Sequence, residues 1–153
     1  MRPSPRSRGD YAHFCPITTR WADNDAYGHV NNVTYYSWFD TVVNALLVDH
    51  DVLDIQHSPV IALVIETGCD YFSSIAFPQR VTAALRVASL GRSSIRYEIG
   101  IFRDDDQITS AQGFLVHVTV DRVTRRPVAI PDAMRKVLQP LLFPFISISG
   151  SPP

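Results

Sequence analysis

Hydrophobic positions follow two rhythms along this chain. From Asn32 to Val48 they fall at Tyr35, Tyr36, Phe39, Val42, Val43, Leu46 and Leu47, a broad stripe at helical spacing. Thr34, Val42 and Val43 are only moderate helix formers, so packing against another layer has to hold this segment. Beyond it the period drops to two. Val60 to Glu66 is a nearly continuous apolar run that resumes at Cys69–Phe72 after Gly68, which predicts one strand with a bulge or kink. Val81, Ala83, Leu85 and Val87 then alternate with polar or small residues, as do Ile95, Tyr97, Ile99 and Ile101. Ile108, Ser110, Gln112, Phe114, Val116, Val118 and Val120 line one face of a further strand. Gly91–Ser94 and Asp104–Asp106 supply the turns. His13–Trp21 alternates loosely and predicts a first strand, and Asp132 is placed to cap a short helix reaching Leu142. One long amphipathic helix and an antiparallel meander must bury their apolar faces on each other, so the fold class is α+β, with the sheet curled around the helix.

Length and composition fit that reading. The chain has 153 residues, 46% hydrophobic and 19% charged, enough for one globular domain with a real core. Residues 1–10, rich in Pro, Ser, Gly and Arg, are expected to form a flexible tail; residues 11–143 are the domain, and 144–153 form a second flexible tail. A net charge of −1 with interspersed signs lacks the basic face of a nucleic-acid binder. With only Cys15 and Cys69, neither a disulfide framework nor a two-pair zinc site is expected, and each reads as a small core residue. Met1–Asp10 lacks the apolar stretch of a signal peptide, and the run from Leu138 to Ile148 is broken by Pro140 and Pro144. No membrane span is expected, and the location expected is cytoplasmic.

Candidate chemistry is concentrated between Arg20 and Asn32, immediately before the helical stripe. Asn31 and Asn32 suit a helix start, where short amide side chains accept from free N–H groups. Those N–H groups carry partial positive charge and can steady a developing anion. Asp25 sets a base or nucleophile beside that electrophilic spot, the arrangement acyl transfer requires. Two structural roles compete for it: capping the helix, or pairing with Arg20. Asp23 and His29 are candidates for orienting the site. The Asp23–Gly28 spacing fails as a calcium loop, because tyrosine and Thr34 stand where ligands belong, and no second histidine lies at metal-ligand spacing. Neither a Gly-x-Ser-x-Gly elbow nor a phosphate-cradling glycine loop is present.

The run Arg20-Trp21-x-Asp23-x-Asp25-x-x-Gly28-His29-Val30-Asn31-Asn32-x-x-Tyr35, followed by an amphipathic helix, resembles the 4-hydroxybenzoyl-CoA thioesterase family of hotdog-fold acyl-CoA thioesterases. Asp70-Tyr71-Phe72, Phe77-Pro78, Gly91–Ser94 and Arg126-Pro127-Val128 follow in the order expected there. The resemblance implies a hotdog fold with Asp25 as catalytic base or nucleophile and the backbone N–H of Asn32 polarising a thioester carbonyl. It places His29 and Asn31 beside them, with Tyr27, Tyr35 and Tyr36 shaping the substrate site. Gly91, Arg92, Ser93 and Ser94 would approach the CoA nucleotide, Arg92 pairing with phosphate. It further implies a homodimer or homotetramer acting on an acyl-CoA, with CoA as part of the substrate and no metal or separate cofactor. A non-catalytic acyl-CoA-binding module is one rival. An enoyl-CoA hydratase is another, although that group uses Asp-x-Asn-Pro-x-His where this chain reads Asp25-Ala26-Tyr27-Gly28-His29. The acyl class and the thiol carrier, CoA or acyl carrier protein, stay open.

Overall fold

A computed structural model describes residues 2–145. In it, β1 (His13–Ile17) is followed by α1 (Thr34–Asp49), β2 (Val60–Tyr71), β3 (Val81–Leu90), β4 (Ser94–Arg103), β5 (Ala111–Asp121) and α2 (Asp132–Leu138). The five strands form one sheet in the order β1-β3-β4-β5-β2, antiparallel throughout. Helix α1 lies across one face and buries Trp38, Phe39, Val42, Val43, Leu46 and Leu47 against Val81, Leu85, Ile95, Ile99 and Ile101. This is the hotdog arrangement. The contact is close because Gly113 leaves its place on β5 bare: a Cβ there would stand 2.7 Å from Phe39 Cε2.

The helical stripe becomes α1, starting two residues later than Asn32. Tertiary register decides the remaining differences. The kink in β2 falls between Val64 and Glu66 rather than at Gly68. Strand β1 ends at Ile17, and Trp21–Asp23 forms a single 3-10 turn. Strand β5 starts at Ala111, and its face carrying Phe114, Val116 and Val118 points away from α1. Its inward face is Ala111, Gly113, Leu115, His117 and Thr119, opposite Ile101, Ile99, Tyr97 and Ile95 of β4. Burial pushes the pKa of His117 down to about 4, so it sits in the core as a neutral ring. Pro131, not Asp132, is the N-cap residue of α2, and no side chain caps it.

Residues 2–10, expected to be a flexible tail, are docked on the outer face of the sheet. Ser7 bridges to Ile108, and Gln112 Nε2 donates to Ser4 O at 2.9 Å. Arg6 Nη2 and Arg86 Nε each reach Glu98 at 3.0 Å, and Tyr11 packs over Gly100. The outer face carries Ala84 and Phe102, fully buried beneath Tyr11, which gives the segment an apolar surface to settle on. At the other end, Phe143 N–H donates to Val87 O at 2.8 Å. Of the expected second tail, residues 146–153 lie outside the described residues.

The sheet has two unlike edges. Strand β1 is five residues long and contains Pro16. Strand β2 is twelve residues long, and Leu63, Val64 and Ile65 on it are 38%, 45% and 63% exposed. Among the described residues no helix is long and apolar enough to cross a membrane.

Candidate active site

The residues between β1 and α1 fold into a tight hairpin whose order comes from main-chain bonds. Asn24 bridges to Val30, Asp25 N–H donates to His29 O at 2.8 Å, and Gly28 N–H donates to Asp25 O at 3.1 Å. Gly28 takes φ +82°, a conformation that L side chains rarely adopt. Asp23 anchors the base of the hairpin. It is 2% exposed and accepts from Arg20 N–H at 2.8 Å, Nε at 3.1 Å and Nη2 at 2.8 Å. Its carbonyl receives Asn31 N–H at 2.8 Å. Two further bonds tie the hairpin to the β2–β3 loop: Val30 N–H to Ile75 O at 2.7 Å, and Phe77 N–H to Asn24 Oδ1 at 3.0 Å.

The chain then turns into α1. Asn31 Oδ1 accepts Val33 N–H at 2.9 Å, one residue ahead of the helix, and Asn31 O accepts Thr34 N–H at 2.9 Å. Tyr71, the last residue of β2, donates its hydroxyl to Asn32 O at 2.7 Å. The N–H of Asn32 donates to none of the described residues. Beside it lies a cleft of about 290 Å³, lined by Val30, Asn32, Tyr35, Tyr71 and Phe72–Ser74. Tyr35 and Tyr71 meet edge to face, with ring centroids 5.1 Å apart. Burial raises the pKa of both phenols, that of Tyr35 to about 12, so both stay protonated donors at neutral pH. A larger cavity, about 540 Å³, runs from Arg8 and Pro16 to Phe77–Thr82 and is lined by neither Asp25 nor Asn32.

Asp25 takes neither of the structural roles open to it. Arg20 pairs with Asp23 instead, and the N-cap of α1 is Val33. Its Oδ1 accepts Tyr27 N–H at 2.8 Å, and its Oδ2 accepts nothing from the described residues. Asn31, Asn32 and Tyr35 lie together at the start of α1. His29 is exposed, and its ring bonds to no described residue. Tyr27 is 86% exposed on the hairpin, and Tyr36 packs against Phe39 with ring centroids 5.8 Å apart and is not among the residues lining the cleft.

Gly91, Arg92, Ser93 and Ser94 are not brought to this site. They close the far end of β3, about 30 Å from the hairpin at the usual rise per strand residue. There the turn's carbonyls are engaged by neighbours: Gly91 O accepts Arg135 Nη2 at 2.7 Å, and Arg92 O accepts Ile130 N–H at 2.8 Å. The guanidinium of Arg92 bonds to no described residue. Tyr71 is the site-forming residue that local sequence does not assign. The only signal for Tyr71 is its place in the Asp70-Tyr71-Phe72 run. Among the described residues, no group of three or more His, Cys, Asp or Glu is placed to hold a metal ion.

Known proteins share this architecture. The PA5185 protein from Pseudomonas aeruginosa strain PAO1 is 50% identical with a TM-score of 0.91, over 94% of this chain and all (100%) of that one. A thioesterase from Thermus thermophilus, complexed with coenzyme A and Zn, is 26% identical with a TM-score of 0.71, over 86% of this chain and 95% of that one. A thioesterase-superfamily structure from Jannaschia sp. CCS1, at 20% identity and a TM-score of 0.77, shares the fold over 90% of this chain and 94% of its own. The uncharacterised protein YsmA of Bacillus subtilis is 20% identical over 93 residues, 61% of this chain and 63% of that protein, so less than two thirds of this curated relative is matched. The model of the thioesterase-like superfamily matches residues 19–138, which span the hairpin, α1 and the whole of β2–β5, and the chain belongs to that superfamily.

Proposed function

We propose that this protein hydrolyses the thioester of an acyl-CoA, with Asp25 as general base or nucleophile. One observation carries the reading. Asn32, whose main-chain N–H has no partner among the described residues, lines a tyrosine-walled cleft just ahead of α1, and a carboxylate with one oxygen unengaged by the described residues stands on the preceding hairpin. The Asn32 N–H would donate to the thioester carbonyl oxygen, in the field of the helix terminus. Asp25 would either take a proton from the attacking water or attack the carbonyl carbon itself, giving an anhydride that water then opens. In both routes the C–S bond breaks, the CoA sulfur leaves with a proton, and the free acid forms. Tyr71 would hold the Asn32 carbonyl, and with it the orientation of the turn that presents the N–H. The exposed ring of His29, unpaired with Asp25, lacks the aspartate–histidine partnership on which hydration of an enoyl-CoA would depend.

The site would be completed by a second copy. A long apolar edge such as β2 is a template for pairing, and two copies related by a twofold axis would pair it with itself, antiparallel. That pairing sets the Tyr71 end of one β2 beside the Val60 end of the other. Ala62 and Leu63 lie at that end, and Leu63 neighbours Val118, which neighbours Ser94 of the turn. The hairpin of one copy and the Arg92 turn of the other then share one interface. Coenzyme A bound to the Thermus relative supports a CoA-type ligand.

The test follows free thiol release from acetyl-, butanoyl-, dodecanoyl- and benzoyl-CoA. Turnover of any of them supports the reading. Tight binding without turnover would establish the non-catalytic module in its place.

A further inference from the structure

A second cavity, about 270 Å³, lies at the opposite end of the helix–sheet layer. Leu47, Leu53 and Ile55 wall one side; Ile61, Ala62 and Met134 wall the other. The remaining lining residue, Asn44, spends its amide on Asp40 O at 2.8 Å. The walls thus offer an alkyl group contact and offer a polar group almost nothing. Ile55, at 68% exposure, stands at the open side.

Within one chain this cavity is remote from the Asn32 cleft. Thr34 to Leu47 along α1 measures about 20 Å, and Trp38, Phe39, Val42 and Val43 fill the space between, each 5% exposed or less. Across a twofold pairing of β2 the relation reverses. The Tyr71 wall of the cleft meets the Val60–Ala62 end of the other strand, which is a wall of this cavity.

We infer that the cavity takes the acyl tail of a thioester held at the Asn32 cleft of the other copy, and that the substrate's acyl group is an aliphatic chain without polar substituents. The inference rests on the thioesterase reading and adds to it the acyl class and the surface that measures the chain.

Ala62→Trp fills the cavity from β2, and Ile55→Trp closes its open side from an exposed loop that tolerates the larger ring. Each methylene shut out should cost about fourfold in kcat/KM. Dodecanoyl-CoA hydrolysis should therefore fall steeply while acetyl-CoA hydrolysis stays within about twofold, as expected for a change that removes only tail burial. Equal loss at every length in both variants, or no loss in either, would overturn the assignment. Mixing Asp25→Asn with Ala62→Trp copies, then refolding them together, tests whether the tail crosses between chains. Heterodimers should regain dodecanoyl-CoA hydrolysis, because one of their composite sites carries neither change. No recovery would mean that cleft and cavity belong to the same chain, contrary to the proposal. If no acyl-CoA is turned over by the unaltered protein, the thioesterase reading fails by itself. Weaker dodecanoyl-CoA binding by Ala62→Trp, with CoA binding unchanged, would still sustain the cavity, and unchanged dodecanoyl-CoA binding would sink it.

Discussion

The two ends of the sheet are built for opposite tasks. At the Tyr71 end of β2, polar side chains are committed to the backbone: Asp23 to Arg20 and the hairpin base, Asn31 to Val33, Tyr71 to Asn32. The Asn32 N–H and one Asp25 carboxylate oxygen are among the groups left without a partner in the described residues. At the Val60 end the turn carbonyls are equally committed, but what remains is an apolar cavity and the guanidinium of Arg92, which bonds to no described residue. On the proposed function, one end holds the groups that would cleave a thioester; the other holds those that would grip its tail and its phosphates. On that reading neither would suffice for an acyl-CoA, and pairing of the exposed β2 edge with a second copy would join them.

The largest effect should come from breaking that join. Ile65→Asp puts a charge on the middle of the β2 edge, at a residue 63% exposed in the protomer, so the fold should survive. Light scattering should report a monomer, and thiol release should be lost. A fully active monomer would break the comparison between the two ends.

A smaller effect is expected at the cleaving end. Tyr71→Phe removes the bond to Asn32 O and should lower kcat about fivefold, the worth of one hydrogen bond, with KM little changed. A change confined to KM would give Tyr71 a role in binding rather than in holding the turn. The smallest effect belongs to the gripping end. Arg92→Ala should raise KM for an acyl-CoA about two- to fivefold, as expected for an exposed ion pair, and leave the matching acyl-pantetheine unaffected. Equal effects on both substrates would remove the phosphate from its role.

Much of this was legible in the chain because the decisive patterns are local. The stripe from Tyr35 to Leu47 specifies a helix with one buried face, and α1 buries that face. The acid–amide run from Arg20 to Asn32 marks the polar stretch ahead of the helix; that it folds as a hairpin is seen only in the structure. What escaped depends on contacts distant in sequence. Tyr71 and Asn32 are 39 residues apart, so no local pattern shows that one holds the other. The docking of residues 2–10 rests on pairs such as Arg6 with Glu98 and Gln112. A Pro- and Arg-rich segment reads as solvated unless the surface it covers is known. Strand β5 shows the limit of alternation itself. Phe114, Val116 and Val118 look like the core face, yet register against β4 turns them outward and sets Gly113, Leu115 and His117 beneath α1. Hydrophobicity gives a strand its period; the neighbouring strand and the helix above choose its phase.

The central claim is that Asp25 performs the chemistry, and the most direct measurement is kcat/KM of Asp25→Asn on the best acyl-CoA, alongside its circular dichroism and oligomeric state. The amide keeps the shape of the side chain and can still accept Tyr27 N–H through its oxygen. The account predicts an unchanged fold and assembly, with turnover reduced on the order of a hundredfold or more, the scale of an essential base or nucleophile. Activity equal to that of the unaltered protein would contradict it and move the chemistry away from the hairpin.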